Sequence, residues 1–441
     1  MSTAISPLRR EQVLEALRRG TVPQEGLAAL AVGLERFQAV VSEDLGRVAS
    51  GGGAFKAIRG DYGCGKTFFS RWLQEQARAR RFATAEVQIS ESETPLHRLE
   101  TVYRRLTERI TTAAVSSGAF RSIIDTWFYA LEEDVLSSGR VAAEDAAGLV
   151  TATNALMEQR LTTISRSAPA FAAALRGYRS AQAKGDIATA EGLIAWVAGQ
   201  PNVAASVKRA ADLKGDVDHF AALSFLKGLL IVLRDSGHSG LLLVLDEVET
   251  LQRMRADVRE KALNALRQLI DEIDGGQFPG LYLVITGTPA FFDGPQGMQK
   301  SPPLAQRLHT DFDTESRFDN PRAPQIRLRA FDRSSLIEVG TRVRDIFVTG
   351  SKDPVGIAAR ANDALVNSLV DAVTGELGGK VGIAPRLFLK KWVADLLDRI
   401  EQYPEFDPGK DYRLTLRSEE ITPQERNLMA ASSVEDIALD V

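Results

Sequence analysis

The stretch Gly60-Asp61-Tyr62-Gly63-Cys64-Gly65-Lys66-Thr67 decides the fold of this chain. It matches the pattern G-x-x-x-x-G-K-T, and it lies between a short apolar run, Ala54 to Arg59, and a helical pattern that begins near Phe68. In this context glycines let backbone N–H groups turn towards phosphate oxygens, and the start of the helix adds its positive dipole end. We therefore expect these eight residues and Phe68 to bind ATP, with Lys66 at the outer phosphates and the Thr67 hydroxyl on Mg²⁺.

A second motif lies far along the chain, where the apolar run Leu241 to Leu245 is followed by Asp246 and Glu247. Such a run is typical of a strand buried on both faces. Asp246 is expected to order the Mg²⁺ shell, and Glu247 to act as the general base that polarises a water. Two acids after a strand are often only a solvated strand end, but the loop upstream favours the functional interpretation. Glu249 could also reach the site, or it could be a surface acid at the next helix start.

Three further positions are candidates for contact with the terminal phosphate. The run Leu281 to Ile285 predicts a strand that ends in Thr286, whose hydroxyl could bond the attacking water or the phosphate, with Thr288 as the reserve. Arg307 could reach the nucleotide of a neighbouring subunit as an arginine finger, and Arg386 could report nucleotide state to the C-terminal helices. The alternatives are ordinary turn chemistry for the threonine and plain surface arginines.

Cys64 lies inside the loop and near a helix N-terminus, an environment that lowers the pKa of a thiol in general. On that basis we expect alkylating agents to inactivate the protein through Cys64. The alternative is a small residue that the loop tolerates at this position.

The remaining pattern predicts an α/β protein with a parallel sheet, because strand-like runs at 84–89, 240–245, 281–285 and 325–328 alternate with helical segments. No strand-like run appears between about 111 and 220, so we expect a helical insertion there. Residues 1–50 are expected to form an N-terminal helical segment, 51–330 the nucleotide-binding core, and 331–441 a helical lid and tail.

Composition narrows the class of protein. One cysteine and four histidines in 441 residues exclude an intramolecular disulfide and a four-ligand zinc site. The net charge of −4 argues against a wholly basic, nucleic-acid-coating surface, although it leaves local DNA contact open. No apolar run has the length of a bilayer-spanning helix, and we expect no membrane association and a cytoplasmic location.

The order of these motifs resembles the AAA+ superfamily, in particular the branch of origin-recognition and helicase-loading ATPases. More closely, the stretches 16–23, 55–71, 86–102, 241–251 and 280–292 resemble the ATP-binding proteins of bacterial BREX anti-phage defence, the BrxD group. The resemblance runs from about Leu8 to Ile400. It implies a P-loop core with a small helical lid, a homo-oligomer with ATP held between subunits, and work beside DNA or a DNA helicase, as a loader or remodeller.

Three function classes follow. The first is an ATPase that acts on DNA or on a helicase, for which Lys390-Lys391 and the Arg342 and Arg344 pair are candidate basic clusters. The second is a nucleotide switch that recruits a partner through the helical insertion with little or no hydrolysis. The third, a transcription-regulating or signalling ATPase, is a minor alternative because neither end of the chain shows a DNA-reading helix pair.

Overall fold

The computed structural model of the chain describes residues 5–139, 141–142, 144–376 and 384–414. Its centre is a five-stranded parallel sheet of strand order β2-β3-β4-β1-β5. The strands are β1 (Ala54–Arg59), β2 (Ala83–Gln88), β3 (Leu241–Asp246), β4 (Leu281–Gly287) and β5 (Gln325–Arg327). The sequence-based prediction of an α/β chain with a parallel sheet is therefore confirmed.

Helices surround the sheet in four groups. Before β1 come α1 (Pro7–Arg18), α2 (Leu27–Leu30) and α3 (Glu35–Ala49); α4 (Lys66–Ala79) joins β1 to β2. Between β2 and β3 lie α5 (Leu99–Arg109), α6 (Phe120–Ser137), α7 (Ala146–Ser167), α8 (Pro169–Ala183), α9 (Ile187–Val197), α10 (Ala205–Ala210) and α11 (His219–Asp235). After β3 come α12 (Ala256–Asp274), α13 (Pro289–Asp293) and α14 (Pro302–Leu308). The C-terminal group is α15 (Arg333–Val348), α16 (Pro354–Arg360), α17 (Asp363–Glu376), α18 (Ala384–Lys390), α19 (Asp398–Gln402) and α20 (Pro408–Asp411).

Aspartates fix where several of these helices begin. Asp145, Asp186 and Asp218 each accept a hydrogen bond from a backbone N–H three residues on, at 2.9, 3.1 and 2.8 Å, at the starts of α7, α9 and α11. Asp332 does the same before α15, at 2.7 Å. An N-cap of this kind contributes about 1 kcal/mol, because it pairs a donor that the helix itself leaves free.

The alternation of side chains along β3 divides the apolar residues between two faces. Leu241, Leu243 and Leu245 belong to a large core that also contains the helices between β2 and β3. Leu242 and Val244 belong to a second core, formed with α3 and α4. Because both faces are covered, the strand has no polar position before Asp246, which is why the sequence shows an unbroken apolar run.

A third core, here named the lid core, joins the two ends of the chain. Val13, Leu14 and Leu17 of α1 pack with apolar residues of α15 to α18. Arg18 adds an ion pair to Asp398 at 2.9 Å. Helix α3 packs instead on the sheet. The two boundaries between the three predicted domains stay predictions. The packing shows that the described part of the N-terminal segment, residues 5–50, contributes to two different cores.

Two local features differ from the expected pattern. Three helices, not two, precede β1, because the four residues of α2 form a separate turn. The helix expected over 385–400 changes at Lys391–Leu397 into a π-helical turn. That wider turn puts Trp392, Val393, Leu396 and Leu397 on the buried side, and Trp392 Nε1 donates to the Gly340 carbonyl at 2.9 Å.

Phe225 of α11 lies at the centre of the helical insertion. Its ring is 5.3 to 5.9 Å from the rings of Tyr103, Phe171 and Trp196. It is 1% exposed, whereas Phe220 on the same helix is 76% exposed.

We expect Phe225→Ala to destabilise the protein by about 3–5 kcal/mol. The matched Phe220→Ala change should stay within about 0.5 kcal/mol. Urea unfolding followed by tryptophan fluorescence measures both, and equal effects would contradict the assigned packing.

Candidate functional site

The loop Gly60–Thr67 follows β1 directly and passes into α4. Gly63 and Gly65 have φ of +78° and +95°, in the left-handed region that side chains disfavour. A Cβ on Gly60 would overlap the Cys64 sulfur and lie 3.2 Å from the Leu328 carbonyl oxygen. The loop thus needs glycine at positions 60, 63 and 65. Its last residues form the N-terminus of α4, a helix of 14 residues.

Lys66 is 9% exposed and is held by its own loop. Its Nζ donates to the carbonyls of Gly60 at 2.8 Å and Asp61 at 3.2 Å, and it lies 5.1 Å from the Tyr62 ring centroid. Backbone oxygens of the loop thus accept hydrogen bonds from the ammonium group that the sequence assigns to phosphate. A bound phosphate has to replace these contacts.

The acid pair lies at the same edge of the sheet as the loop. Asp246 ends β3 and is 7% exposed, and Thr286 of β4 is fully buried beside it. The Thr286 hydroxyl donates to Asp246 Oδ1 and accepts from the Glu247 backbone N–H at 3.1 Å. Because β4 lies between β1 and β3, this one hydroxyl orients both acidic residues next to the loop strand.

Glu247 has a left-handed backbone, with φ +60° and ψ +43°. A non-glycine residue in this region costs on the order of 1 kcal/mol, and such residues cluster at functional sites. Its Oε2 accepts a hydrogen bond from Gln88 Nε2 at 2.8 Å. Gln88 ends β2, one strand further out, and sequence reasoning missed it. The available signal was a polar residue at the carboxyl end of a strand, the same signal that selected Thr286.

Glu249 is buried as well, at 7% exposed, and its Oε2 has no hydrogen-bond partner. Burial, reinforced by the charges of Glu247 and Asp246, raises the pKa of Glu249 to about 7 in spite of the attraction of Lys66. Of the two interpretations of Glu249, the structure therefore excludes the solvated surface acid. The carboxyl group of Glu249 therefore titrates near neutral pH and interacts electrostatically with Lys66.

Arg59, the last residue of β1, is a second residue that the sequence did not single out. It is 8% exposed and pairs with Asp293, while its guanidinium lies 4.7 Å from the Phe312 ring centroid. It also donates to Gln325 Oε1 at 3.4 Å. The end of the loop strand is thereby fixed to α13 and β5.

The two arginine candidates lie on other surfaces of the chain. Arg307 of α14 pairs with Asp271 at 2.8 Å and Asp274 at 3.2 Å, both on α12. Arg386 is half-buried in α18, and its Nη1 lies 3.7 Å from where a Cβ on Gly20 would stand. Gly382 and Ile383 of the same motif lie outside the described residues. The finger and sensor roles stay predictions.

The loop is connected to the lid core through aromatic residues. Phe68 packs against both the lid core and the core beneath α4. A Cβ on Gly65 would lie 3.8 Å from the Phe331 ring, and Phe331 also packs against the lid core. Thr288, the reserve candidate, is 6% exposed and precedes α13.

The expected basic clusters are largely neutralised within the chain. Arg342 pairs with Glu338 at 2.6 Å, and Arg344 pairs with Asp363 at 2.5 Å. Lys391 is 5% exposed and lies 3.3 Å from Asp395. Arg342, Arg344 and Lys391 therefore each have a carboxylate partner within the chain.

The expected thiol activation of Cys64 is wrong in its direction. Cys64 is 4% exposed, and burial raises the pKa of its thiol to about 11, against the opposing charge of Lys66. The side chain packs against Gly60, so the alternative of a small, space-filling loop residue describes its surroundings better.

With this geometry in place, the chain can be compared with known proteins. The family described as "BREX system ATP-binding protein BrxC/D" matches residues 5–416. The chain belongs to this family. BrxC/D membership gives it an ATP-binding role in BREX defence, and it agrees with the loop and the acid pair at one sheet edge. No curated protein matches the chain. Among the described residues, no helix has the length and apolar character to cross a membrane.

Glu249→Gln tests the buried carboxyl of this BrxC/D member. Native Glu249 keeps its proton up to about pH 7, whereas the unfolded chain releases it near 4.5. The native state thus binds the proton more tightly, so this group lowers stability as pH rises from 4.5 through 7. In nucleotide-free protein, Glu249→Gln should match wild type near pH 4.5 and gain on the order of 2–3 kcal/mol above pH 7.

Melting temperatures across pH 5 to 8.5 measure this difference, with exposed Glu260→Gln as the matched control. A Glu249→Gln difference that stays constant with pH would show that the carboxyl does not titrate in this range.

The thiol of Cys64 should resist modification. With a pKa of about 11, only about one thiol in a thousand is ionised at pH 8, and the sulfur is covered. Iodoacetamide should label Cys64 slowly in the native protein and rapidly in urea, as mass spectrometry of the cysteine peptide will show. Fast native labelling would contradict the buried position.

Proposed function

We propose that the protein is an AAA+ P-loop ATPase that hydrolyses Mg-ATP and works with DNA or a DNA helicase in BREX anti-phage defence, as a loader or remodeller. The observation that carries the proposal is the meeting of three groups at one sheet edge: the Gly60–Thr67 loop, the buried Asp246 and the restrained Glu247. Family membership supports the ATP-binding part of this proposal.

The residues present fit a magnesium ion that arrives with its nucleotide. Among the described residues, no group of three or more His, Cys, Asp or Glu side chains could enclose a metal. Mg²⁺ is commonly bound by one carboxylate, a hydroxyl, water and substrate phosphates rather than by a protein cage. Thr67 and Asp246 would hold the ion, which when bound neutralises phosphate charge.

The chain's own residues then divide the work. Backbone N–H groups of the loop and Lys66 would position the outer phosphates, and Thr286 would keep Asp246 and Glu247 in register. Glu247 would accept the proton of the attacking water after leaving Gln88. In an oligomer with ATP between subunits, Arg307 would leave Asp271 and Asp274 and approach the neighbour's phosphate. Arg386, next to the α1 turn, would sense the lid position.

A second candidate is the nucleotide switch with little hydrolysis. One observation favours it: Lys66, Glu247 and Arg307 all contact partners within the chain. Each of these three side chains must exchange its present partner for the nucleotide or the attacking water before ATP is hydrolysed. A single subunit is therefore expected to hydrolyse slowly, and assembly or a partner would be needed for speed.

Steady-state ATPase activity tests the proposal. We expect Glu247→Gln to bind ATP normally but to lose activity about 100-fold or more, because a positioned base contributes that much. Exposed Glu260→Gln is the matched control and should behave as wild type. Wild-type turnover should rise with protein concentration or with added single- or double-stranded DNA.

The outcomes separate the candidates. If the protein binds ATP but does not hydrolyse it under any condition, the ATPase proposal is wrong and the nucleotide-switch proposal takes its place. Retained activity in Glu247→Gln would remove Glu247 from its role, and unchanged ATP affinity in Lys66→Ala would overturn the site itself.

A further inference from the structure

A cleft of about 870 Å³ lies beside α4, away from the phosphate loop residues. Its walls are the turn after α1, the side chains of α4 at positions 71, 74 and 78, the edge strand β2 and the connection from α5 to α6. Most of the lining residues have polar side chains, among them four arginines and four glutamates: Arg19, Arg71, Arg78, Arg109, Glu15, Glu25, Glu86 and Glu108. None of these residues belongs to the candidate ATP site.

The four glutamates are already engaged. Glu15 pairs with Arg18 and Arg19, and Glu25 pairs with Arg9. Glu86 accepts from Gln74 at 2.9 Å, and Glu108 accepts from Arg105 at 2.9 Å and from Gln200 at 2.9 Å. Arg9 and Arg105, which lie outside the cleft, thus compensate Glu25 and Glu108. Glu15 is shared between Arg18 outside the cleft and Arg19 within it, and Glu86 lies 3.6 Å from Arg71 within it.

The arginines of α4 are compensated less well. Arg78 donates only to neutral oxygens, Thr84 Oγ1 at 3.1 Å and the Gln24 carbonyl at 3.5 Å. Burial lowers the pKa of Arg78, with partial relief from Glu25 and Glu75, although an arginine remains charged at any physiological pH. Arg71 has a buried Nε without a hydrogen bond, 3.6 Å from Glu86, and gives Nη1 to the Val22 carbonyl at 2.6 Å.

Arg109, at the end of α5, extends the same feature. Within the described parts of the chain, neither Arg78 nor Arg109 has a carboxylate oxygen within 4.0 Å. The hydroxyls of Thr111 and Ser116 line the cleft close by in sequence. Guanidinium groups and hydroxyls that converge on a cleft match the oxygens of a phosphate group.

We propose that this cleft is a second anion site, which binds a phosphate group through Arg71, Arg78 and Arg109. The phosphate belongs either to a small phosphorylated molecule or to a nucleic-acid backbone. Arg71 and Arg78 stand seven residues apart, which places them on one face of α4, and α4 begins with Lys66. An anion bound here contacts the same helix that presents the ATP-binding lysine, so the two sites share one rigid element.

Calorimetry on the Lys66→Ala variant of the whole chain tests the site. In this variant, phosphate binding at the Gly60–Thr67 loop is weakened. The probes are inorganic pyrophosphate and a single-stranded oligothymidylate without terminal phosphates, each at 50 and 200 mM salt. We expect at least one probe to bind, and Arg78→Gln and Arg109→Gln to weaken it roughly ten- to hundredfold, the contribution of a charge-assisted hydrogen bond. Arg80→Gln, an exposed change at the end of α4 outside the cleft, should leave binding unchanged.

The two probes identify the source of the phosphate. Binding of pyrophosphate alone indicates a small phosphorylated ligand, whereas oligonucleotide binding that weakens steeply with salt indicates a nucleic-acid backbone. Failure of both probes to bind, or binding that Arg78→Gln and Arg109→Gln leave unchanged, overturns the proposal. Arg109 is exposed, so Arg109→Gln keeps the test valid if Arg78→Gln impairs folding. ATP affinity of the wild type, measured separately, decides the loop's own function.

Discussion

The hydroxyl of Thr286 holds the candidate site in register. It has one proton, which goes to Asp246, and its oxygen accepts the backbone N–H of Glu247. The bond to Asp246 is buried and the bond from Glu247 is partly buried. Leaving a buried partner unsatisfied costs about 1–3 kcal/mol. The position exists only because β4 lies between β1 and β3 in a parallel sheet, so that three strand ends meet at one edge. The sheet order thus determines the geometry of the site.

Three candidate site residues have hydrogen-bond or ion-pair partners within the chain. Lys66 is bonded to loop carbonyls, Glu247 to Gln88, and Arg307 to aspartates on α12. A nucleotide or a neighbouring subunit that engages these groups has to supply binding energy that exceeds these bonds. Exchange of these partners leaves the core unchanged, whereas a close-packed interior would resist a large rearrangement.

Sequence reasoning found the elements whose signals are local. The loop pattern, the apolar run before Asp246 and the strand ending in Thr286 are each contained in a few consecutive residues. The residues it missed depend on contacts between distant segments: Gln88 meets Glu247 across 159 positions, and Arg59 meets Asp293 across 234. The sequence predicted a lowered pKa for Cys64, because the helix N-terminus beside it can be recognised in the sequence. The structure gives a raised pKa, because burial outweighs the helix N-terminus and burial cannot be recognised in the sequence. The pairing of α1 with the C-terminal helices was hidden for the same reason.

That pairing has a consequence for how the polypeptide is made. The apolar face of α1, with Val13, Leu14 and Leu17, leaves the ribosome before its partners in α15 to α18, which are translated more than 300 residues later. At ordinary elongation rates the interval is roughly half a minute. During this time the apolar face of α1 lacks the helices that cover it in the folded protein. Transiently exposed apolar surface of this kind is prone to aggregation until α15 to α18 have been made.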